Sequence, residues 1–356
     1  MIGLLRALTA LPGPSGFERA PASYMLKAFR ERGAEAEMDR MGNVIARVPG
    51  ADASRKLMLC VHTDEVGLIV KHIADDGMVY FDPIGLVSPL GLPGAQVDCI
   101  VHLGETPGMR RGVIGTRSAH LAAGAPPPTL SDLWIDVGAD RRATVEAMGI
   151  HIGTPITFRA NFERLGDGYV MSKALDNRMG CALLLAALAA ATYQPLPFDL
   201  YLAAVVQEEV GSRGAQVVAR AVQPDWAITI DTVPAADPAT PPQQTTAQLG
   251  GGPVLRSMDM MPNMMGTLYA PAVVEHLAEL ARTHNIAHQR DVARSWTDAA
   301  TMEGVLRGGV FVPRRYAHSP TEVMKLADME ATLNLLVALI TDPRTAERLG
   351  SGPWLT

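Results

Sequence analysis

The chain has 356 residues, of which 48% are hydrophobic and 19% charged, and its formal net charge is −6. That length and apolar content predict one large or two stable globular domains and exclude a mainly disordered protein. The acidic balance argues against a nucleic-acid partner, which requires a basic face. The three cysteines lack CxxC spacing, which excludes a disulfide framework and favours a reducing compartment.

The sequence offers no membrane segment and no secretory signal. Its longest apolar run, residues 179–191, is shorter than the ~18–20 residues that a bilayer span requires. Near the N-terminus the run Pro12-Gly13-Pro14 interrupts a short apolar stretch, which is not the pattern of a signal peptide. We therefore expect a cytoplasmic protein with no membrane partner.

The first part of the chain mixes helical and strand patterns. The predicted elements are helices at 4–11 and 17–33 and strands at 36–38, 43–48 and 56–61. Gly33 has the position of a glycine that ends a helix in the left-handed conformation. The last of these strands is short and apolar, and it stops abruptly at His62.

The pattern changes between residues 66 and 164. Short β-like runs alternate there with glycine and proline clusters, and only residues 142–148 have helical periodicity. Many short strands with frequent turn signals predict a small β-rich domain. Because the earlier pattern resumes after it, we interpret this segment as an insertion.

From residue 172 onward, strands and helices alternate again. Helices are predicted at 173–191, 211–221, 271–284 and 327–340, and strands at 199–206, 226–230, 286–292 and 309–312. Alternating strands and helices predict an α/β fold with a central, mostly parallel sheet that is flanked by helices on both faces. The small β-rich domain would be inserted into this fold.

Three of the predicted apolar strands lead to side chains that can bind a metal. They end at His62, at the pair Glu208 and Glu209, and at Asp231. In open α/β sheets, ligands bind in the crevice outside the carboxyl ends of the strands. The sequence therefore predicts that these side chains meet at one edge of the sheet.

Two further residues fit the same place. Asp176 lies in the first turn of a predicted helix, and His318 lies in a polar loop after a predicted strand. Imidazole and carboxylate ligands without thiolate suit Zn, Co, Mn or Fe(II). Five such ligands exceed the needs of one tetrahedral zinc, whereas a bridging carboxylate would let them hold two ions about 3.5–4 Å apart.

Each of these residues also has an ordinary interpretation when it is taken alone. A histidine at a strand end is commonly hydrogen bonded in the core or at the surface, and an aspartate in a first helical turn commonly interacts with the helix dipole. An adjacent pair of glutamates is commonly solvated. The metal site is favoured because all of these residues occur together at strand ends.

Several stretches of the sequence are diagnostic in combination. They are LPGPSGFE (11–18), DRMGNVIA (39–46), VHTDEVGLIV (61–70), SKALDNRMGC (172–181), VVQEEVGSRGA (205–215), LGGGP (249–253) and PRRYAHSPTEV (313–323). In this order, and over nearly the full length, the chain resembles the M42 family of metallo-aminopeptidases. That family includes glutamyl aminopeptidase and the tetrahedral TET peptidases.

The resemblance implies a role for each candidate residue and two divalent ions (Zn, Co or Mn) in each subunit. His62 and Asp231 would hold one ion, Glu209 and His318 would hold the other, and Asp176 would bridge them. Glu208 would be the general base for a hydroxide that lies between the ions. Asp64 would accept the imidazole N–H of His62 and fix its tautomer.

The resemblance also implies domains, a substrate and an assembly. Residues 1–66 and 166–356 would form the catalytic domain, and residues 67–165 would form a β-rich domain for dimerisation and assembly. The substrates would be short peptides, cleaved at their N-terminal residue. The subunits would form homodimers that build a hollow tetrahedral dodecamer, which excludes folded proteins.

The sequence departs from the family pattern in two places. Ser295-Trp296-Thr297-Asp298 stands where the family has Gly-Gly-Thr-Asp, so Trp296 either lies near the substrate pocket or packs in the core or an interface. The methionine-rich run at 258–265 is interpreted as core or interface packing, with an adaptable binding surface as the alternative. His120, in the insertion, receives no role.

Two other functions stay open beside the aminopeptidase. The same metals could serve a deacylase of small N-acyl or amide substrates, or they could stabilise an assembly protein without turnover. A glycosidase is disfavoured because glycoside hydrolysis usually uses two carboxylates and no metal. The sequence also lacks the GxSxG, GxxxxGK[ST] and HExxH motifs of other hydrolases and phosphate-binding proteins.

Overall fold

The computed structural model describes residues 1–103, 107–118, 120, 124, 126–193, 195–238, 240, 243–262, 265–352 and 354. Within these residues, the helices are α1 (Ile2–Ala10), α2 (Arg19–Glu31), α3 (Arg142–Ala147), α4 (Leu175–Ala191), α5 (Arg213–Val222), α6 (Pro271–Thr283), α7 (Leu326–Thr341) and α8 (Pro343–Arg348). In this part of the chain, no helix combines the length and the apolar character needed to cross a membrane.

The strands belong to one large sheet and one barrel. In chain order they are β1 (Glu35–Met38), β2 (Val44–Val48), β3 (Lys56–His62), β4 (Gly67–Ile73), β5 (Val79–Ile84), β6 (Gln96–His102), β7 (Gly108–Gly115), β8 (Trp134–Asp136), β9 (Pro155–Phe158), β10 (Glu163–Leu165), β11 (Tyr169–Ser172), β12 (Asp199–Val205), β13 (Trp226–Pro234), β14 (Val254–Met260), β15 (Gly266–Leu268), β16 (Gln289–Ala293), β17 (Leu306–Arg315) and β18 (Glu322–Lys325).

The large sheet is mixed, with a parallel centre and antiparallel margins. Its main order is β1-β2-β12-β3-β13-β17-β18-β11-β10, and β14 joins it through β17 and carries β15 and β16. Pairing is parallel from β12 through β3 and β13 to β17, and between β14 and β16. The other pairs in this sheet are antiparallel.

The expectation of a mostly parallel sheet is therefore wrong outside the centre. Parallel neighbours need a long crossover, commonly a helix, whereas antiparallel neighbours can be joined by a short turn. Helical segments separate the four central strands along the chain. By contrast, the pairs β1–β2 and β10–β11 are joined by short connections, and these pairs form the margins of the sheet.

Strands β4 to β9 form a closed barrel in the order β4-β5-β8-β7-β6-β9. The pairings recorded between its neighbours are antiparallel. Leu68, Val97, Ile135 and Ile156 lie fully buried within a separate apolar cluster. The β-rich segment expected from the sequence thus folds as a closed barrel around its own core.

Helix α4 forms the centre of the main core. It packs against α1, α7, β3 and β13, and buried residues occur on all faces of the helix. A helix that is apolar all round needs such an environment. On the other face of the sheet, α5 packs against β12. These two layers hold the carboxyl ends of the parallel strands in place.

A buried ion pair joins the barrel to the main sheet. Glu65 lies between β3 and β4, and its carboxylate accepts hydrogen bonds from Lys173 Nζ at 2.6 and 2.8 Å. The same carboxylate accepts the N–H of Gly13 at 2.9 Å and the hydroxyl of Thr157, in β9, at 3.0 Å. Both charged side chains are at most 2% exposed, and the buried guanidinium of Arg178 lies 3.7 Å from the same carboxylate, so Lys173 supplies the closer of two buried counter-charges.

We expect Lys173→Met to lower the free energy of unfolding by about 3 kcal/mol, the low end of the effect of breaking a buried ion pair, because the buried Glu65 carboxylate loses two hydrogen bonds and keeps only the more distant Arg178 as a counter-charge. Lys71→Met is the matched control, since Lys71 pairs with Asp82 at the surface of the barrel, where such a pair contributes about 0–1 kcal/mol. Chemical denaturation measures both variants. Equal, small losses would show that the junction does not depend on this ion pair.

Candidate metal centre

The carboxyl ends of β3, β12 and β13 meet at one edge of the large sheet. His62 is the last residue of β3 and is paired in register with Val205, the last residue of β12. The chain then turns through Gln207 to Glu208 and Glu209. Strand β13 does not end at Asp231, as the sequence predicted, but continues to Pro234.

One group of ligand atoms surrounds the Nε2 atom of His62. This atom lies 3.2 Å from Asp176 Oδ1 and 3.6 Å from Asp231 Oδ1. The side chains of His62, Asp176 and Asp231 are at most 9% exposed. Their potential ligand atoms lie within 4.8 Å of one another, which is close enough for one cation to contact all three.

A second group shares Asp176 with the first. Nε2 of His318 lies 3.3 Å from Asp176 Oδ2 and 3.4 Å from Glu209 Oε2. The potential ligand atoms of these three residues also lie within 4.8 Å of one another. Asp176 thus presents one carboxylate oxygen to each histidine, as a bridging ligand would.

Helix α4 does not begin as the sequence predicted. Asp176 and Asn177 have non-helical backbone angles, and the peptide bond between them is cis. Asp176 therefore lies just before the regular helix and not in its first turn. Asn177 fixes this corner by donating to the carbonyl of Ile230, in β13, at 2.8 Å, and by accepting the N–H of Gly180 at 3.0 Å.

Asp64 connects the first histidine to the two glutamates. Its carboxylate accepts the backbone N–H groups of Glu208 and Glu209, each at 3.1 Å, and the hydroxyl of Ser15 at 2.6 Å. Nδ1 of His62 lies 3.4 Å from Asp64 Oδ1. The Asp64 side chain is fully buried, so one carboxylate sets the position of both groups.

The barrel contributes to the site through His318. Nδ1 of this histidine lies 2.9 Å from the carbonyl oxygen of Leu86, which follows β5. Since a carbonyl only accepts hydrogen bonds, Nδ1 carries the proton and Nε2 is directed at Asp176 and Glu209. A backbone carbonyl on the remote nitrogen is a common way to orient a ligating histidine.

Non-glycine residues in the left-handed backbone conformation concentrate around this edge. Ala174, Gln207, Ser212, Tyr316 and His318 all have φ between 52° and 61°. For residues with a Cβ this conformation is uncommon and costs free energy, so it persists only where the surrounding structure enforces it. These residues lie next to Asp176, in the turn that carries Glu208 and Glu209, and in the loop of His318.

Burial and mutual charge shift the pKa values of the cluster in opposite directions. Burial raises the pKa of Glu208 well above its usual value, that of Glu209 to about 8 and that of Asp231 to about 6. For Asp176, burial also acts to raise the pKa, but Arg314, His318 and His62 outweigh it and hold the pKa well below its usual range.

The histidines shift the other way. Burial acts to lower the pKa of His62, but its carboxylate neighbours, Asp176 first, outweigh this and raise it well above its usual value. The same balance raises the pKa of His318 to about 9. The two imidazoles and their carboxylates therefore share protons that a bound cation would displace, since metal ligands must be deprotonated.

The donor set fits divalent metal ions. It consists of imidazole nitrogens and carboxylate oxygens, which suit Zn, Co or Mn. Among the described residues, no hydrogen-bond partner reaches the buried Oε1 of Glu209, which is costly for a carboxylate oxygen unless another group binds it. Asp176, which belongs to both groups, has the geometry for the shared ligand.

Sequence reasoning missed two charged residues that hold the site. Arg314, in β17, donates to Asp176 Oδ2 and, at 2.7 Å, to the hydroxyl of Thr232. Glu322 accepts the backbone N–H groups of Asp176 and His318, each at 3.0 Å, and lies 3.2 Å from Arg314. Both fall in the stretch PRRYAHSPTEV, which could have indicated them.

The structure also places the unusual residues. Trp296 is half-buried and donates from Nε1 to Ser212 Oγ at 2.6 Å, next to the loop that carries the glutamates. In the methionine-rich run, Met258 and Met260 lie half-buried in β14, and Met261 and Met265 are exposed; Met264 lies outside the described residues. His120 is exposed.

Comparison with known proteins identifies the family. The family model described as M42 glutamyl aminopeptidase matches residues 42–335. A lysyl aminopeptidase of Pyrococcus furiosus is 32% identical over 351 residues, which cover 95% of this chain and 96% of that protein.

Solved structures agree with this assignment. An aminopeptidase from the archaeon Desulfurococcus kamchatkensis has a TM-score of 0.91 and 34% identity, over 99% of this chain and 98% of that one. The TET1 peptidase of Pyrococcus horikoshii has a TM-score of 0.86 and 28% identity, over 96% and 99% of the two chains. The chain therefore belongs to the M42 family of aminopeptidases, hydrolases that act on peptide bonds.

Proposed function

We propose that this protein is a dimetal aminopeptidase that removes N-terminal residues from short peptides. The observation that carries the proposal is the pair of ligand groups that share Asp176. His62 and Asp231 would hold one ion, and Glu209 and His318 would hold the other. When bound, two such ions lower the pKa of a water between them and polarise the scissile carbonyl group.

Glu208 is proposed as the general base. Its Oε2 lies 4.0 Å from His62 Nε2, so it reaches the edge of the first ligand group while Glu209 belongs to the second. Burial raises the pKa of Glu208 well above its usual value, which is the direction that favours proton transfer by a carboxyl group. It would accept a proton from the attacking water and deliver it to the departing amine.

Asp64 is proposed to position these two glutamates and to set the tautomer of His62. Adjacent glutamates can act differently only if the backbone directs their side chains to different places. The two N–H groups that Asp64 accepts fix that backbone. With Nδ1 of His62 towards Asp64, Nε2 is left for a metal ion.

We further propose that the subunits associate into homodimers, which assemble towards a tetrahedral dodecamer through the domain at residues 67–165. The related TET1 peptidase is described as assembling into a tetrahedron or a large octahedral shell. A cytoplasmic location is proposed as well, and the three buried free cysteines support it because thiols stay reduced there.

A substrate panel tests the activity. We expect protein reconstituted with Zn, Co or Mn to hydrolyse aminoacyl chromogenic amides and to leave N-acyl amino acids intact. A chelator should abolish turnover, and readdition of the metal should restore it. Preferential cleavage of N-acyl amino acids would identify a deacylase, and metal binding without any turnover would identify a non-catalytic assembly protein.

The variant Glu208→Gln tests the general base. We expect kcat to fall at least ~10²-fold, because proton transfer by a positioned side chain contributes about 10²–10⁴-fold, while metal content and melting temperature are retained. Glu303→Gln, at an exposed glutamate, is the control and should be unaffected. Near-normal kcat in Glu208→Gln would exclude this residue as the base.

The variant Asp176→Ala tests the bridging role. Since Asp176 belongs to both proposed ligand groups, we expect the protein to lose both ions after dialysis. Asp231→Ala is the matched control and should lose one ion, because it removes a ligand from the first group only. Elemental analysis measures the metal content, and loss of a single ion from Asp176→Ala would contradict a shared ligand.

A further inference from the structure

Ser212 lies at the end of the turn that follows Glu208, and both its N–H and its carbonyl group are hydrogen bonded. It is fully buried and has φ of 52°. Its N–H donates to the carbonyl of Glu208 at 2.9 Å, and its own carbonyl accepts the hydroxyl of Thr301 at 3.0 Å. These bonds fix the backbone of Ser212, so the position of its hydroxyl group depends on the contacts of the side chain.

Trp296 reaches this hydroxyl from a different part of the chain, the segment between β16 and the turn that contains Thr301. The indole Nε1 donates to Ser212 Oγ at 2.6 Å. An indole N–H can only donate, so Ser212 accepts in this bond. The one proton of the hydroxyl is then available to another acceptor.

The Glu208 carboxyl group faces the Ser212 hydroxyl. Its Oε1 lies 3.5 Å from Ser212 Oγ. Asp298 is a second buried acid in this segment, but neither of its carboxylate oxygens has a hydrogen-bond partner among the described residues. The geometry therefore selects Glu208 as the acceptor.

We propose that Trp296 is a positioning residue, which acts through Ser212 to hold the Glu208 carboxylate in the orientation needed for proton transfer. The inference rests on the proposed function, because it assumes that Glu208 is the base. In this proposal the indole N–H of Trp296 affects catalysis only through Ser212 and Glu208, and Trp296 itself contacts neither substrate nor metal. A tryptophan that only fills space would need its ring and not this donor.

Trp296→Phe and Ser212→Ala test the proposal. Each variant removes one hydrogen bond of the series from Trp296 through Ser212 to Glu208. We expect kcat to fall roughly 3–10-fold in each variant, as for the loss of one hydrogen bond. KM should stay within about twofold of its original value. The double variant should be no slower than the slower single variant, because residues that act in one chain are not additive. Trp134→Phe, at a half-buried tryptophan in the barrel, should leave kcat unchanged.

Measuring Trp296→Phe in the Glu208→Gln variant separates a positioning role from a general loss of folding. In Glu208→Gln, whose residual turnover does not use the carboxylate, adding Trp296→Phe should change kcat by less than about twofold. If Ser212→Ala does not fold, Ser212→Gly replaces it, since glycine adopts positive φ without strain.

The proposal would be overturned by an unchanged kcat in Trp296→Phe, by multiplicative losses in the double variant, or by an undiminished effect of Trp296→Phe in the Glu208→Gln background. Near-normal kcat in Glu208→Gln itself would instead overturn the proposed function. A full loss in Glu208→Gln with no effect of Trp296→Phe would leave the proposed function intact and reject only the positioning role.

Discussion

The carboxylate of Asp176 lies between two imidazoles, and the remainder of the site is arranged around it. One oxygen faces His62 and the other faces His318. A carboxylate that is removed from water needs positive or hydrogen-bonding partners on both oxygens. Here those partners are His62 in β3, Arg314 in β17 and His318 in the loop after β17, so two segments that are distant in the sequence converge on one side chain.

Other buried carboxylates organise the backbone around this centre. Asp64 accepts the N–H groups of both glutamates, and Glu322 accepts those of Asp176 and His318. Carboxylates that accept backbone N–H groups in a dry environment form strong, directional bonds. They can therefore hold loops in the uncommon left-handed conformation that the site contains. The positions of the candidate metal ligands therefore depend on Asp64 and Glu322 as well as on the ligand residues themselves.

The barrel takes part in the same arrangement. Glu65 links Lys173, just before α4, to Thr157 in the last barrel strand, and the carbonyl of Leu86 orients His318. A displacement of the barrel would therefore affect both Lys173, which lies just before α4, and His318. If the barrel also serves assembly, as proposed, association of subunits and the geometry of the metal ligands would be coupled through these two contacts.

The sequence by itself determined the alternation of strands and helices, the β-rich insertion and the strand-end residues that the structure brings together. These features follow from periodicity and from the rule that ligands gather at the carboxyl ends of parallel strands. The family resemblance predicted the roles of these strand-end residues. Their roles in catalysis and in metal binding stay predictions. The length of β13 beyond Asp231 and the true start of α4 were not predictable, because element boundaries depend on neighbours in space.

Only the tertiary structure decided the mixed sheet and the partners that are remote in sequence. The antiparallel margins arise from pairings such as β11 with β18, which are separated by about half the chain and leave no local pattern. Arg314, Glu322 and Ser212 lie in stretches that carry the family resemblance, but the sequence does not show what their side chains contact. Their importance lies in which buried groups they contact, and burial with a specific partner is a property that only the folded chain possesses.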